Sequence, residues 1–142
     1  QFPSQNAKWM AAHDIARYLS QAEREFIDTP SPAQRDMVNF SWRSEALVSL
    51  LWSLHGLERM PELHKQFDVF SNAMVLQAIQ QTPHFLQQPV RRALAELQAQ
   101  EQYLYHQHWR VRDRDLGFHK DEPGEDDPDI DSLISGLVYE RR

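Results

Sequence analysis

Arg43 and Glu45 stand two residues apart at the head of the apolar run SWRSEALVSLLWSLHGL, residues 41–57. An arginine suited to hold an anion beside a glutamate suited to move a proton is the chain's clearest chemical pairing. Arg43 lies four residues before Leu47 and seven before Leu50, and Glu45 lies three before Val48 and seven before Trp52. At helical spacing both charges fall beside the face that faces the core, so both are expected to be largely enclosed. Residues two apart on a helix point to different faces, so each charge needs its own partner from elsewhere. The third face, Ala46, Ser49 and Ser53, is small enough to admit a close helix neighbour.

Two segments offer partners. One is Tyr139-Glu140-Arg141, and the other is the helix after Pro89 with Arg91, Arg92, Glu96 and His108. Arg43 with Glu140 or Glu96, and Glu45 with Arg141, Arg91 or His108, would tie three helices together. Such a network is either a buried polar clasp that fixes register or the lining of a pocket. The clasp is the expectation, because enclosed ion pairs are often architectural.

His106 and His108, in YHQHW, lie about 200° apart around a helix and cannot share one metal ion. His108 is expected to hydrogen-bond in the core and His106 to face water, while His119 stands alone in a loop. A helical zinc pair needs spacing four, so no metal site is expected, and no cofactor. Asp127, Asp129 and Asp131 copy the first spacings of a calcium-binding EF-hand loop. Ser132 then replaces the required glycine and Val138 the bidentate glutamate, so a solvated loop is the better reading. Arg110, Arg112, Arg114 and Lys120 are the cations placed to pin it.

Other catalytic templates are missing: there is no G-x-S-x-G elbow, and only four glycines in all. Without cysteine the chain has no thiolate nucleophile, thiolate zinc site or disulfide. The formal charge of -6 is concentrated in DEPGEDDPDID, residues 121–131, and the remaining body is nearly balanced. A balanced body lacks the net basic face that nucleic-acid binding needs, and Asp113 and Asp115 dilute the Arg110, Arg112, Arg114 patch. The sequon Asn39-Phe-Ser41 falls inside a predicted helix and is discounted. Trp9, Trp42, Trp52 and Trp109 at helical positions are expected in the core rather than as a stacking platform.

The elements that must position these groups are helices. Ser20 with Glu23 and Ser31 with Gln34 both fit the capping box, and Pro32 suits a first helical position. The spacing predicts helices at Ala7–Tyr18, Gln21–Ile27, 32–55 ending at Gly56, Asn72–Gln81, and Pro89–Arg114 ending at Gly117, with a short one over Ile130–Arg142. The second long helix carries Val90, Leu94, Leu97, Leu104, His108 and Val111 on one stripe. The expected fold is all-α: a single-domain bundle over 1–142 of about five to seven helices, with two long central helices and an acidic loop at 119–131. The longest apolar run, Ala46 to Leu54, is too short to span a bilayer, so no membrane partner is expected. The opening QFPSQNAKW lacks an initiator methionine, as expected of a processed chain or of a fragment truncated at one or both ends.

Three motifs, in order and spacing, carry a family resemblance: W-R-x-E-A-L leading into L-L-W-x-L, then Y-x-x-H-W, then V-Y-E-R. In these the chain resembles the bacterial domain-of-unknown-function family 4272, from about Trp9 to Arg142. The matching positions are Trp42, Arg43, Glu45, Trp52, His108, Trp109, Glu140 and Arg141. Members carry an acid where Gln102 stands here, and continue past the E-R pair. The resemblance implies a bacterial protein of unassigned activity.

The expected function is therefore a non-enzymatic, immunity- or adaptor-like module of the bacterial cytoplasm, whose acidic loop steers a partner with a basic surface. The alternative is a small-molecule binder or enzyme at the Arg43, Glu45, His108, Glu140 cluster. Trp42, Glu96, Trp109, Tyr139 and Arg141 complete that candidate site.

Overall fold

A computed structural model describes residues 5–69, 71–80, 87, 89–118 and 121–136. Among them are seven α-helices, one turn of 3-10 helix and no strand, so the fold is all-α. The helices are α1 (Gln5–Ala12), α2 (Gln21–Asp28), α3 (Gln34–Ser41), α4 (Arg43–Ser53), α5 (Ala73–Gln80), α6 (Leu94–Leu116) and α7 (Ile130–Gly136), with the 3-10 turn at Ile15–Tyr18. They fall in two compact units, Gln1–Ser41 and Trp42–Arg142.

In the first unit the expected helix over Ala7–Tyr18 is divided. Asp14 adopts a left-handed conformation, φ 52°, which ends α1 and leaves only a 3-10 turn behind it. Aspartate tolerates that region better than most residues. The capping box forms as the sequence indicates: Glu23 N–H donates to Ser20 Oγ at 3.3 Å, and Ser20 N–H donates to Glu23 Oε2 at 2.8 Å. Phe26 of α2 and Phe40 of α3 stack with ring centres 4.2 Å apart. The expected start of α3 at Pro32 comes later, because the first bonds of that helix run to the carbonyl of Ala33.

The single long helix over 32–55 is also two helices. It breaks at Trp42, between α3 and α4, where the apolar spacing gives no warning. Trp42 keeps helical angles, φ -67° and ψ -15°, and its carbonyl accepts from Glu45 N–H at 3.1 Å.

The second unit holds two clusters of buried side chains. Val48 and Leu51 of α4 pack with Leu57 and Val75, and Val111 of α6 packs with Leu63, Ile130 and Leu133. Buried leucines and valines of this kind contribute about 1.5–3 kcal/mol each. Glu45, Val48 and Leu51 are the buried positions of α4, whereas Leu47 and Leu50 face outward. On α6 only Val111 of the expected apolar stripe is fully buried, and Val90 and Leu94 are exposed. Trp109 is also exposed, contrary to its expected place in the core.

Helix α4 ends in a Schellman motif. His55 N–H donates to Trp52 O at 3.1 Å and Gly56 N–H to Leu51 O at 2.6 Å. The left-handed residue is His55, φ 58°, not the glycine that follows it. Gly56 serves close approach instead: a Cβ there would lie 3.1 Å from the Leu51 carbonyl oxygen. Helix α6 ends at Gly117 as expected, φ 67°, with Gly117 N–H on Arg114 O at 3.1 Å. Among the described residues no helix is long and apolar enough to cross a membrane.

Candidate functional site

Glu45 is fully buried, and its Oε1 accepts the Phe67 backbone N–H at 2.6 Å. Helix α4 thereby fixes the loop that leads to α5, so this carboxylate works as a structural tie. We expect Glu45→Gln to cost about 1 kcal/mol, since its amide oxygen still accepts, and Glu45→Ala about 2–3 kcal/mol, because the half-buried Phe67 N–H then loses its acceptor. Urea unfolding of the two variants measures the difference.

Arg43, expected to be enclosed, is exposed at the start of α4. It lies four and seven residues before Leu47 and Leu50, on the side of α4 that faces outward. Glu96 does not reach across to it. Its Oε1 pairs with Arg92 at 3.3 Å, and its Oε2 accepts Ala93 N–H at 3.2 Å, closing the first turn of α6. Tyr139, Glu140 and Arg141 lie outside the described residues, as do His119 and Lys120. Trp42 packs half-buried against the Val111 cluster. Trp109 meets the rings of Tyr105 and His108 edge-on.

Among the described residues a helix-bridging clasp is made by Arg92. This side chain is mostly enclosed, and it donates from Nε to Trp52 O at 2.7 Å and from Nη2 to Leu57 O and Glu58 O at 2.8 Å each. Its backbone N–H donates to Ser53 O at 2.8 Å, and its guanidinium lies 4.7 Å from the Trp52 ring centre. A cation at a helix C-terminus meets both the free carbonyls and the negative end of the helix dipole. The segment preceding α6 is thereby fastened to the end of α4.

The acidic segment is held by a second arginine. Arg110, buried on α6, forms a two-pronged pair with Asp121, Nε to Oδ1 at 2.8 Å and Nη2 to Oδ2 at 2.7 Å. Its Nη1 donates to Gln107 Oε1 at 2.7 Å and Pro128 O at 3.0 Å. Gln107, fully buried, donates from Nε2 to Asp127 Oδ1 at 2.6 Å. Asp127 Oδ2 accepts Gly124 N–H at 2.8 Å and lies 3.1 Å from His106 Nε2. Arg114 pairs with Asp131 at 2.9 Å, and Asp129 Oδ2 caps α7 by accepting Ser132 N–H at 2.9 Å. Of the cations expected to pin this segment, Arg110 and Arg114 do so. The solvated-loop expectation is corrected accordingly. Among the described residues no group of histidines and carboxylates is arranged to hold a metal ion.

These contacts set the local acid–base behaviour. The Arg110 hydrogen bonds hold the Asp121 carboxyl below its usual range. Burial pushes Asp127 upward, but hydrogen bonds from Gly124, Gln107 and His106, with the charge of Arg110, outweigh it and leave that carboxyl lowered. Burial, then the charge of Asp127, raises the Tyr103 phenol. For a depressed carboxyl the unfolded state binds more protons between the two pKa values, so stability rises with pH there. The Asp121 and Asp127 contribution is fully present above the unfolded pKa of about 3.9 and is lost as pH falls through the lower folded values. Melting temperatures from pH 7 to pH 2 should therefore fall more steeply below about pH 4 for the native chain than for Asp127→Asn.

A groove of about 760 Å³ lies between α4 and α6. Leu50, Trp52, Met60, Leu97, Leu104 and Tyr105 give it an apolar lining. Its polar groups are Ser49 and Ser53 on α4, and Gln100, Glu101 and His108 on α6. Of the sequence-predicted site residues that are described, only His108 lines it, and Glu45 and Glu96 are committed elsewhere. Leu50 and Tyr105 are 61% and 64% exposed, so the groove keeps large apolar surface in water. The signal that could have found it is the face Ser49, Leu50, Ser53 meeting Leu97, Leu104, His108 at helical spacing.

The profile described as Domain of unknown function (DUF4272) matches residues 1–142, the whole chain. The chain belongs to the DUF4272 family. No curated protein and no solved structure matches it. For this DUF4272 chain the arginine-centred ties and the α4–α6 groove are therefore the features from which function is argued.

Proposed function

We propose that this chain is a non-enzymatic partner-binding module, immunity- or adaptor-like, acting in the bacterial cytoplasm through the groove between α4 and α6. The supporting observation is the groove itself, whose apolar wall stays open to water at Leu50 and Tyr105. Contiguous exposed apolar surface of this kind marks an interaction site more often than a solvated face. The bacterial setting comes from the family resemblance.

The acidic segment plays a smaller part than its sequence suggests. Asp121, Asp127 and Asp131 answer the chain's own arginines and Asp129 caps α7. Glu122, Glu125 and Asp126 are left to bias the approach of a basic partner. The same pairing occupies Arg110 and Arg114, which argues against a nucleic-acid surface there.

Affinity capture from cells of the native host tests the reading, using the native chain, Leu50→Asp and Tyr105→Asp as baits. Both substituted side chains are exposed, so helicity and melting temperature should hold while the partner is lost. Capture that is equal with all three baits, or no partner with any, sinks the proposal.

A second reading, a small-molecule binder, is favoured by the volume of about 760 Å³, which falls within the usual range for ligand sites. In that case a bound metabolite would accompany the purified native chain and be missing from Leu50→Asp by native mass spectrometry.

A further inference from the structure

We propose that the occupant of the α4–α6 groove is a single amphipathic helix of a partner protein, with a lysine or arginine that pairs with Glu101. The inference rests on the partner-binding reading and names the partner's chemistry.

Three observations carry it. The first is the length of the groove: its α6 wall runs from Leu97 to His108, about 16 Å at the helical rise, which matches roughly three turns of a docked helix. The second is its cross-section. The α4 wall presents Ser49 and Ser53 beside Leu50, so small side chains let a backbone approach while Leu50 and Leu104 offer apolar contact. An apolar helix face laid into a groove between two helices is a recurring recognition mode.

The third is charge. Among the described groove-lining residues Glu101 is the one with a formal charge at neutral pH, and it is exposed on α6. Arg92 touches Trp52, but its guanidinium is directed to the carbonyls of Trp52, Leu57 and Glu58 and to Glu96. The acidic segment packs on another face of α6: Gln107, Arg110 and Arg114 lie about 100–180° around the axis from Glu101 and His108. Glu101 therefore sets the sign that the groove presents, and a basic residue on the incoming helix is the complement.

The test uses two fluorescein-labelled 16-residue helical peptides with leucine at positions i, i+3, i+4 and i+7. They differ only in one residue flanking that stripe, lysine in one and glutamate in the other. Anisotropy titrations against the full chain should show the lysine peptide binding about five-fold tighter, the difference shrinking as salt rises. Glu101→Lys should reverse the order, and Leu50→Asp should abolish both. Equal affinities that both vanish in Leu50→Asp would refute the pairing with Glu101 while leaving the groove as the binding surface. If neither peptide binds, or if Leu50→Asp changes nothing, the helical occupant is refuted. The capture experiment then decides the partner-binding reading by itself.

Discussion

Replacing Arg110 with methionine should lower the unfolding free energy by about 3 kcal/mol. The size follows from what is left behind rather than from the bonds removed. Arg110 is buried and satisfies Asp121 with two hydrogen bonds, the Gln107 oxygen and the Pro128 carbonyl at once. Methionine fills most of the space but leaves Asp121 and Asp127 without the cation and Gln107 without its donor. An exposed pair such as Arg114 with Asp131 should yield under about 1 kcal/mol when broken. Lysine is a poor substitute, because one ammonium cannot reproduce a planar fork that reaches an acid, an amide and a carbonyl together. Urea unfolding gives the free energy, and limited proteolysis within residues 121–129 reports whether the segment has come loose. In the Arg110→Met background, Asp121→Asn should recover part of the loss, and a double-mutant cycle measures the coupling. A change below about 0.5 kcal/mol, within the range of ordinary surface substitutions, would show that the segment is not held this way.

The helical class and the buried position of Glu45 were legible because both follow from spacing. Glu45 is three residues before Val48, and these two share the buried face with Leu51. The identity of the clasping arginine was not legible. Arg91 and Arg92 both precede the first residue of α6, so helical phase extended back from that helix cannot say which one turns inward. Glu96 was a partial cue, being three residues after Ala93, but alanine has no capping oxygen to complete the pattern. The break at Trp42 was hidden for a related reason: the residue at the junction is itself helical, and the apolar spacing runs across it. In the acidic segment, composition suggested solvent. What decided its structure was the facing side of α6, where Gln107 and Arg110 meet Asp127 and Asp121. The groove was the least legible feature, since Leu50 and Leu97 show the same periodicity whether their face is covered or open.

Arg92→Ala should cost about 2–4 kcal/mol, and its signature should be local to the end of α4. Three carbonyls, Trp52, Leu57 and Glu58, receive the guanidinium, and Trp52 also carries it against its ring. Hydrogen bonds from a charged donor contribute about 1.5–3 kcal/mol each when their acceptors cannot turn to water. Here Trp52 O retains its bond from His55 N–H, so the loss at that carbonyl is partial. The carbonyl of the exposed Glu58 can recruit water, whereas that of the buried Leu57 is left short of a donor, which is why the sum falls well short of three full bonds. The backbone bond from residue 92 to Ser53 O survives the substitution, so the segment ahead of α6 should loosen without detaching. Hydrogen exchange should accordingly quicken at His55 and Gly56, whose amides close the Schellman motif, before it quickens in the centre of α6. Arg92→Lys should recover about half the loss, because an ammonium can reach one or two of these oxygens but cannot stack flat on Trp52. Since Trp52 and Ser53 also line the groove, the same variant should weaken whatever binds there, though Arg92 itself lies outside the lining. Uniform acceleration of exchange across α4 and α6 would instead mean that Arg92 supports the unit globally.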